Sequence, residues 1–247
     1  MRSLVDTWFP TLRRGWLFLL LVACGRADAP AAGLRAPAGG PPADPAPAGA
    51  TTPAGAGRRT VAFLGTSLTA ALGLDPGLGY PAVLQRKIDS AGLPFEAVNA
   101  GVSGETSAGA LRRLDWVLRD PPEVLVIETG ANDGLRGLDI DSLAGNIQAI
   151  IDRARARRAD IRLVLVGMEA PPNLGERYAR RFRAVYPELA RRNGIPLVPF
   201  LLDGVAGIDS LNQADGIHPT AAGQRRVAEN VWPVLAPVLR AAAAPAS

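Results

Sequence analysis

Val124-Leu125-Val126-Ile127-Glu128-Thr129-Gly130-Ala131-Asn132-Asp133 is the stretch that decides the fold. Val124 to Ile127 are apolar at consecutive positions, so a strand built from them shows hydrocarbon on both faces. A sheet with one wet face would alternate apolar and polar residues instead. Such a strand must be central and covered by helices on both sides, the setting of a parallel sheet. Working outward, short β-type runs recur at residues 60–65, 95–99, 162–167 and 196–199. Helical stretches fall between and after them, at 80–91, 107–118, 142–157, 176–192 and 221–239. Strands alternating with helices predict an α/β protein with a doubly wound parallel sheet. Sheets of that kind bind ligands outside the carboxyl ends of their strands, so chemistry belongs in the loops that directly follow each strand.

The chain has 247 residues, 48% of them hydrophobic and 20% charged, which suits one globular domain with some length to spare. Its formal charge of +4 comes from arginine, since Lys87 is the sole lysine. The arginines cluster at Arg153, Arg155, Arg157 and Arg158 and again at Arg177, Arg180, Arg181 and Arg183. No nucleic-acid-reading motif accompanies them, so they read as solvated helix faces rather than a nucleic-acid surface. One cysteine, Cys24, and one histidine, His218, exclude an intrachain disulfide, a cysteine metal cluster and a multi-histidine metal site.

The first residues read as a processing signal. Arg13 and Arg14 precede a short apolar run from Trp16 to Ala23, which falls short of the ~20 residues a spanning helix needs. The run ends in Leu21-Val22-Ala23-Cys24, which resembles the lipobox of bacterial lipoproteins. That resemblance implies cleavage before Cys24 and a lipid on its sulfur, with the alternative an ordinary signal peptide and an incidental cysteine. Residues 25–57 are mostly Ala, Gly, Pro and Thr and cannot bury enough apolar surface to offset their ordering entropy. The expected organisation is a signal peptide over 1–23, a tether over 24–58, a folded domain over 59–240 and a disordered tail over 241–247. In a diderm host the anchored domain would face the periplasm from the outer membrane, Gly25 standing where an Asp would alter sorting.

Four post-strand loops carry candidate chemistry. Gly65-Thr66-Ser67-Leu68-Thr69 follows the first strand and offers Ser67 as a nucleophile, although a loop serine is equally at home as a helix cap. It is not the Gly-x-Ser-x-Gly elbow, since position 69 is Thr. In the loop after the second strand, Gly104 can present a bare backbone N–H to an anion. After the third, Asn132 is a neutral amide donor, or simply a turn residue. Asp215-Gly216-Ile217-His218-Pro219 precedes the last helix, and its spacing lets the Asp215 carboxylate reach the His218 ring and fix its tautomer.

No single motif decides the chemistry, but Ser, Gly, Asn and Asp-x-x-His in this order resemble the signature of the SGNH (GDSL-type) hydrolases over roughly residues 60–239. Gly65–Ala70, Gly130–Gly137 and Asp215–Pro219 bring it nearest to the thioesterase, lysophospholipase and arylesterase branch, and Arg177-Tyr178 with Tyr186-Pro187-Glu188-Leu189-Ala190 adds to the likeness. The resemblance implies a flavodoxin-like α/β/α domain acting as a serine esterase, without metal or organic cofactor. It assigns Ser67 as nucleophile, His218 as general base and Asp215 as its orienting acid. The oxyanion hole it implies consists of the Ser67 N–H, the Gly104 N–H and the Asn132 side chain. One departure stands out: the family usually carries Asp before the nucleophile, and this chain carries Thr66. The expected substrate is a small ester, thioester or lysolipid, and a monomer is expected. Leu135, Leu138, Pro171 and Leu174 are the expected selectors of substrate, because their loops follow strands beside the oxyanion hole. The alternatives are a carbohydrate O-acetyl esterase of the same fold and a non-catalytic acyl-binding lipoprotein.

Overall fold

The apolar stretch at Val124–Ile127 has no solvent exposure on either face and lies at the centre of the protein. The computed structural model describes residues 57–244. The expected signal segment, Cys24 and the tether lie outside the described residues, except for Gly57 and Arg58 at the tether's end. From there the chain runs through β1 (Arg59–Gly65), α1 (Ser67–Ala70), α2 (Tyr80–Ser90), β2 (Phe95–Gly101), α3 (Ser107–Val117) and β3 (Val124–Glu128). It continues through α4 (Ala131–Leu135), α5 (Ile140–Arg157), β4 (Arg162–Val166), α6 (Glu176–Asn193), β5 (Leu197–Val198) and α7 (Ala221–Ala243).

The strands form one parallel sheet in the order β2-β1-β3-β4-β5. From β1 the chain steps one way to β2, and thereafter it steps the other way. Right-handed crossovers therefore send α2 to one face and α3, α5 and α6 to the other. The helix contacts agree: α2 packs on α7, α3 on α5, and α5 on α6. Between β1 and β3 the winding direction reverses, which opens the crevice where doubly wound sheets hold ligands.

Local chemistry sets the element ends. Thr106, Asp139 and Thr220 cap α3, α5 and α7 by accepting N–H bonds from Gly109, Ser142 and Gly223. The Asp139 cap explains why α5 starts at Ile140, two residues before the periodicity predicts. Prolines at 196 and 199 lack N–H groups and confine β5 to two residues. At the other end, α7 passes Leu239 and runs to Ala243. This corrects the expectation of a disordered tail from residue 241. Ala242 is buried, Arg162 donates to the Ala241 carbonyl at 3.0 Å, and Arg59 donates to that of Ala242.

Candidate active site

The ends of β1 and β3 meet at the crevice, and each delivers a short helix there. Helix α1 starts at Ser67, with Thr66 as its N-cap, and α4 starts at Ala131, one residue before Asn132. Both helices are too short for an apolar period to reveal them. Gly65 is required before α1: a Cβ there would lie 2.0 Å from Thr69 Oγ1 and 2.8 Å from Glu128 Oε2. After α1 the chain turns through Ala71 at φ 58°, the sole non-glycine residue with positive φ among the described residues.

His218 comes from the loop before α7, and Gln213 braces that loop from within and ties it to the turn after α1. Gln213 donates to the carbonyls of Leu72 at 2.8 Å and Pro219 at 3.0 Å, and its own N–H binds the His218 carbonyl at 2.7 Å. The His218 ring then spans from one candidate to the next. Its Nε2 lies 2.9 Å from Ser67 Oγ, and its Nδ1 lies 2.6 Å from Asp215 Oδ2. The other Asp215 oxygen accepts the main-chain N–H groups of Ile217 at 2.9 Å and His218 at 3.0 Å. The His218 N–H, the His218 ring and the Ile217 N–H, in that order, hold the Asp215 carboxyl well below the usual carboxylate range. A hydroxyl, an imidazole and an ionised carboxylate in one hydrogen-bonded line can move a proton off the hydroxyl.

Gly104 and Asn132 face the same cleft. Gly104 adopts φ +77°, a backbone conformation that suits glycine. Three contacts fix its loop. Asn132 Nδ2 donates to the Glu105 carbonyl at 2.9 Å, and Arg136 donates to the Gly104 carbonyl at 2.9 Å. Arg113 grips the Glu105 carboxylate through Nε at 2.7 and 2.9 Å and reaches the Ala100 carbonyl at 2.7 Å.

The cleft has a volume of about 540 Å³ and is mostly apolar, with Met168, Ala170, Phe200, Leu202, Ala206 and Ile217 in its walls. Of the four expected substrate selectors, Leu135 and Pro171 line it. Leu138 and Leu174 are not among the lining residues: the Leu138 carbonyl accepts the Tyr178 hydroxyl, and Leu174 lies against Gly137. Met168 and Phe200 escaped the sequence reading, although they follow β4 and β5 and the rule for post-strand loops points to them.

Another residue the sequence did not single out is Glu128, at the end of β3 and fully buried. Its carboxylate accepts the Thr66 N–H at 2.7 Å and the Thr69 hydroxyl at 2.8 Å, and the Thr66 hydroxyl reaches both of its oxygens. Thr66 and Thr69 thus both donate to a carboxyl group carried on β3.

Comparison with known proteins identifies the family. Residues 63–226 match the model of the GDSL-like lipase/acylhydrolase family. The chain is 45% identical to esterase TesA of Pseudomonas aeruginosa, over 73% of this chain and 90% of that protein. It is 34% identical to thioesterase 1/protease 1/lysophospholipase L1 of Escherichia coli K12, over 73% of this chain and 85% of that one. The crystal structure of AlinE4, an SGNH-hydrolase family esterase, superposes with a TM-score of 0.61 at 40% identity, covering 76% of this chain and 98% of that one. The chain therefore belongs to the GDSL-like lipase/acylhydrolase family, and is an enzyme of its serine esterase type.

Proposed function

We propose that the chain hydrolyses carboxylic esters and thioesters through an acyl-enzyme on Ser67. The observation that carries this reading is the continuous line Asp215–His218–Ser67 at the mouth of an apolar cleft. Ser67 Oγ attacks the acyl carbonyl carbon while its proton passes to His218 Nε2. The negative charge that develops on the carbonyl oxygen is received by the Ser67 N–H, the Gly104 N–H and the Asn132 amide, where one such donor contributes about 10²–10³ in turnover. The carbon–oxygen or carbon–sulfur bond then breaks, and the leaving group takes the proton back from the imidazolium. Water repeats the sequence on the acyl-enzyme, releasing the acid and restoring Ser67. Asp215 keeps the imidazole in the tautomer whose Nε2 can accept.

The acyl chain occupies the cleft, whose aliphatic walls suit hydrocarbon. The names of the relatives point to thioesters and lysophospholipids as well as simple esters. A carbohydrate O-acetyl esterase would need a platform for sugar rings, and among the described residues that line the cleft Phe200 is the one Phe, Tyr or Trp. The Leu21-Val22-Ala23-Cys24 stretch supports export as a lipoprotein, with the folded domain tethered on the periplasmic side in a diderm host. A panel of p-nitrophenyl esters from acetate to dodecanoate tests the substrate reading. kcat/KM is expected to rise with chain length until the cleft is filled, and a preference for acetate over every longer ester would overturn the assignment of the cleft to the acyl chain.

A further inference from the structure

Among the described residues, Glu128 is the one fully buried carboxylate that touches the nucleophile loop, and it takes no part in the Ser67–His218–Asp215 line. Burial pushes its carboxyl pKa up, and hydrogen bonds from Thr66 and Thr69 pull against that shift. Burying a carboxylate is unfavourable unless its oxygens are satisfied. Here the surroundings are arranged for that purpose. The Leu68 N–H donates to Thr66 Oγ1 at 3.4 Å, while the Thr66 hydroxyl lies 3.0 and 3.1 Å from the two Glu128 oxygens and donates to them. The Thr69 hydroxyl donates to Oε2 and leaves a lone pair for the Tyr80 O–H, 2.7 Å away. Together with the Thr66 N–H, every group that hydrogen-bonds to Glu128 is therefore a donor, and this cage fits the ionised form against burial and the nearby Glu105 carboxylate, which both oppose it.

Thr66 and Thr69 bracket Ser67, one immediately before it and the other two residues after. We propose that Glu128 is a positioning residue for acyl transfer: its carboxylate clamps Thr66 and Thr69 and so fixes the Ser67 hydroxyl toward His218 and the Ser67 N–H toward the oxyanion. This rests on the Ser67 reading above and adds a residue to it. It also gives Thr66 a reason. A carboxyl placed where its hydroxyl lies would face Glu128 across about 3 Å, and like charges that close force one of the pair to keep its proton. Thr66 donates instead, and a single charge serves the loop.

The test compares Glu128→Leu, Glu128→Gln and Thr69→Val by kcat, KM and the rate at which a fluorophosphonate labels the serine, each per folded molecule well below its melting temperature. Glu128→Leu strands the Thr66 N–H, which cannot rotate to another acceptor. A misplaced nucleophile costs about 10² in rate, so kcat and labelling are expected to fall together by about that factor, with KM within about threefold. In Glu128→Gln the amide oxygen keeps the Thr66 N–H and Thr69 bonds while the NH₂ donates to Thr66 Oγ1, so turnover recovers to within about threefold of wild type. Thr69→Val keeps shape and removes one arm of the clamp, so labelling should slow about tenfold. It carries the test if Glu128→Leu does not fold. A role confined to stability would lower the melting temperature of these variants and leave kcat and labelling per folded molecule untouched, which would overturn the proposal. So would Glu128→Gln losing as much turnover as Glu128→Leu. Failure of the underlying reading is separable, because it would show as labelling and turnover that persist in Ser67→Ala.

Discussion

Replacing Asp215 with Asn should reverse the tautomer of His218, and the structure dictates the direction. Oδ1 of Asp215 accepts two main-chain N–H bonds, at 2.9 and 3.0 Å, whereas Oδ2 faces the ring nitrogen Nδ1 at 2.6 Å. Asparagine has a single oxygen. Two fixed backbone donors outweigh one ring donor, so that oxygen stays on the backbone side and the NH₂ turns to the imidazole. An NH₂ can only donate, so Nδ1 must become the acceptor and the ring proton moves to Nε2. Nε2 is the atom that must take the proton of Ser67. The same exchange in a serine-protease triad with a buried acid lowers kcat about 10⁴-fold. The Asp215 side chain is 47% exposed, so water competes for these contacts, and the expected loss in kcat/KM is roughly 10²–10⁴. Because the chain has one histidine, nitrogen-15 NMR reads its tautomer without ambiguity. Wild type should show a protonated Nδ1 and a bare Nε2, and Asp215→Asn the reverse. Turnover within tenfold of wild type, or a reversed tautomer with no loss of rate, would refute the reasoning.

Two further outcomes follow from the packing around α1. Gly65→Ala drives a methyl against Thr69 and Glu128, so overpacking and a strained Thr69–Glu128 bond should cost about 2–4 kcal/mol and lower Tm by roughly 5–15 °C in calorimetry; a Tm within 2 °C of wild type, on the order of the shift for about 1 kcal/mol, would contradict the crowding. The raised pKa of Glu128 means that above its ordinary value of 4.5 the native state holds more protons than the unfolded chain, so this group's contribution to stability falls as pH rises toward the folded value. Urea unfolding at several pH values should therefore show Glu128→Gln gaining on wild type as pH increases, and a constant or shrinking difference would contradict the sign.

The central layer of the fold was legible because Val124–Ile127 and Leu163–Val166 are continuously apolar, a pattern that fits only a sheet covered on both faces. Ser67, Asp215 and His218 were legible because each stands beside a strand end or at fixed spacing, where local sequence dictates position. Glu128 was not. A Glu at the end of an apolar run reads as the point where the strand meets water, and its burial depends on Thr66 and Thr69, at the cap and within α1, with Tyr80 of α2 behind Thr69. The same holds for Leu135 and Leu138, three residues apart: the first ends α4 and lines the cleft, while the second lies beyond the turn that follows and does not, which composition cannot reveal.

The most direct measurement of the central claim is the site and stoichiometry of covalent capture by a fluorophosphonate, read by intact mass and peptide mapping. One adduct per chain on Ser67, accumulating in step with loss of esterase activity and absent from Ser67→Ala, is the predicted result. An adduct on another residue, or a Ser67→Ala protein that still hydrolyses p-nitrophenyl butyrate at the wild-type rate, would contradict it.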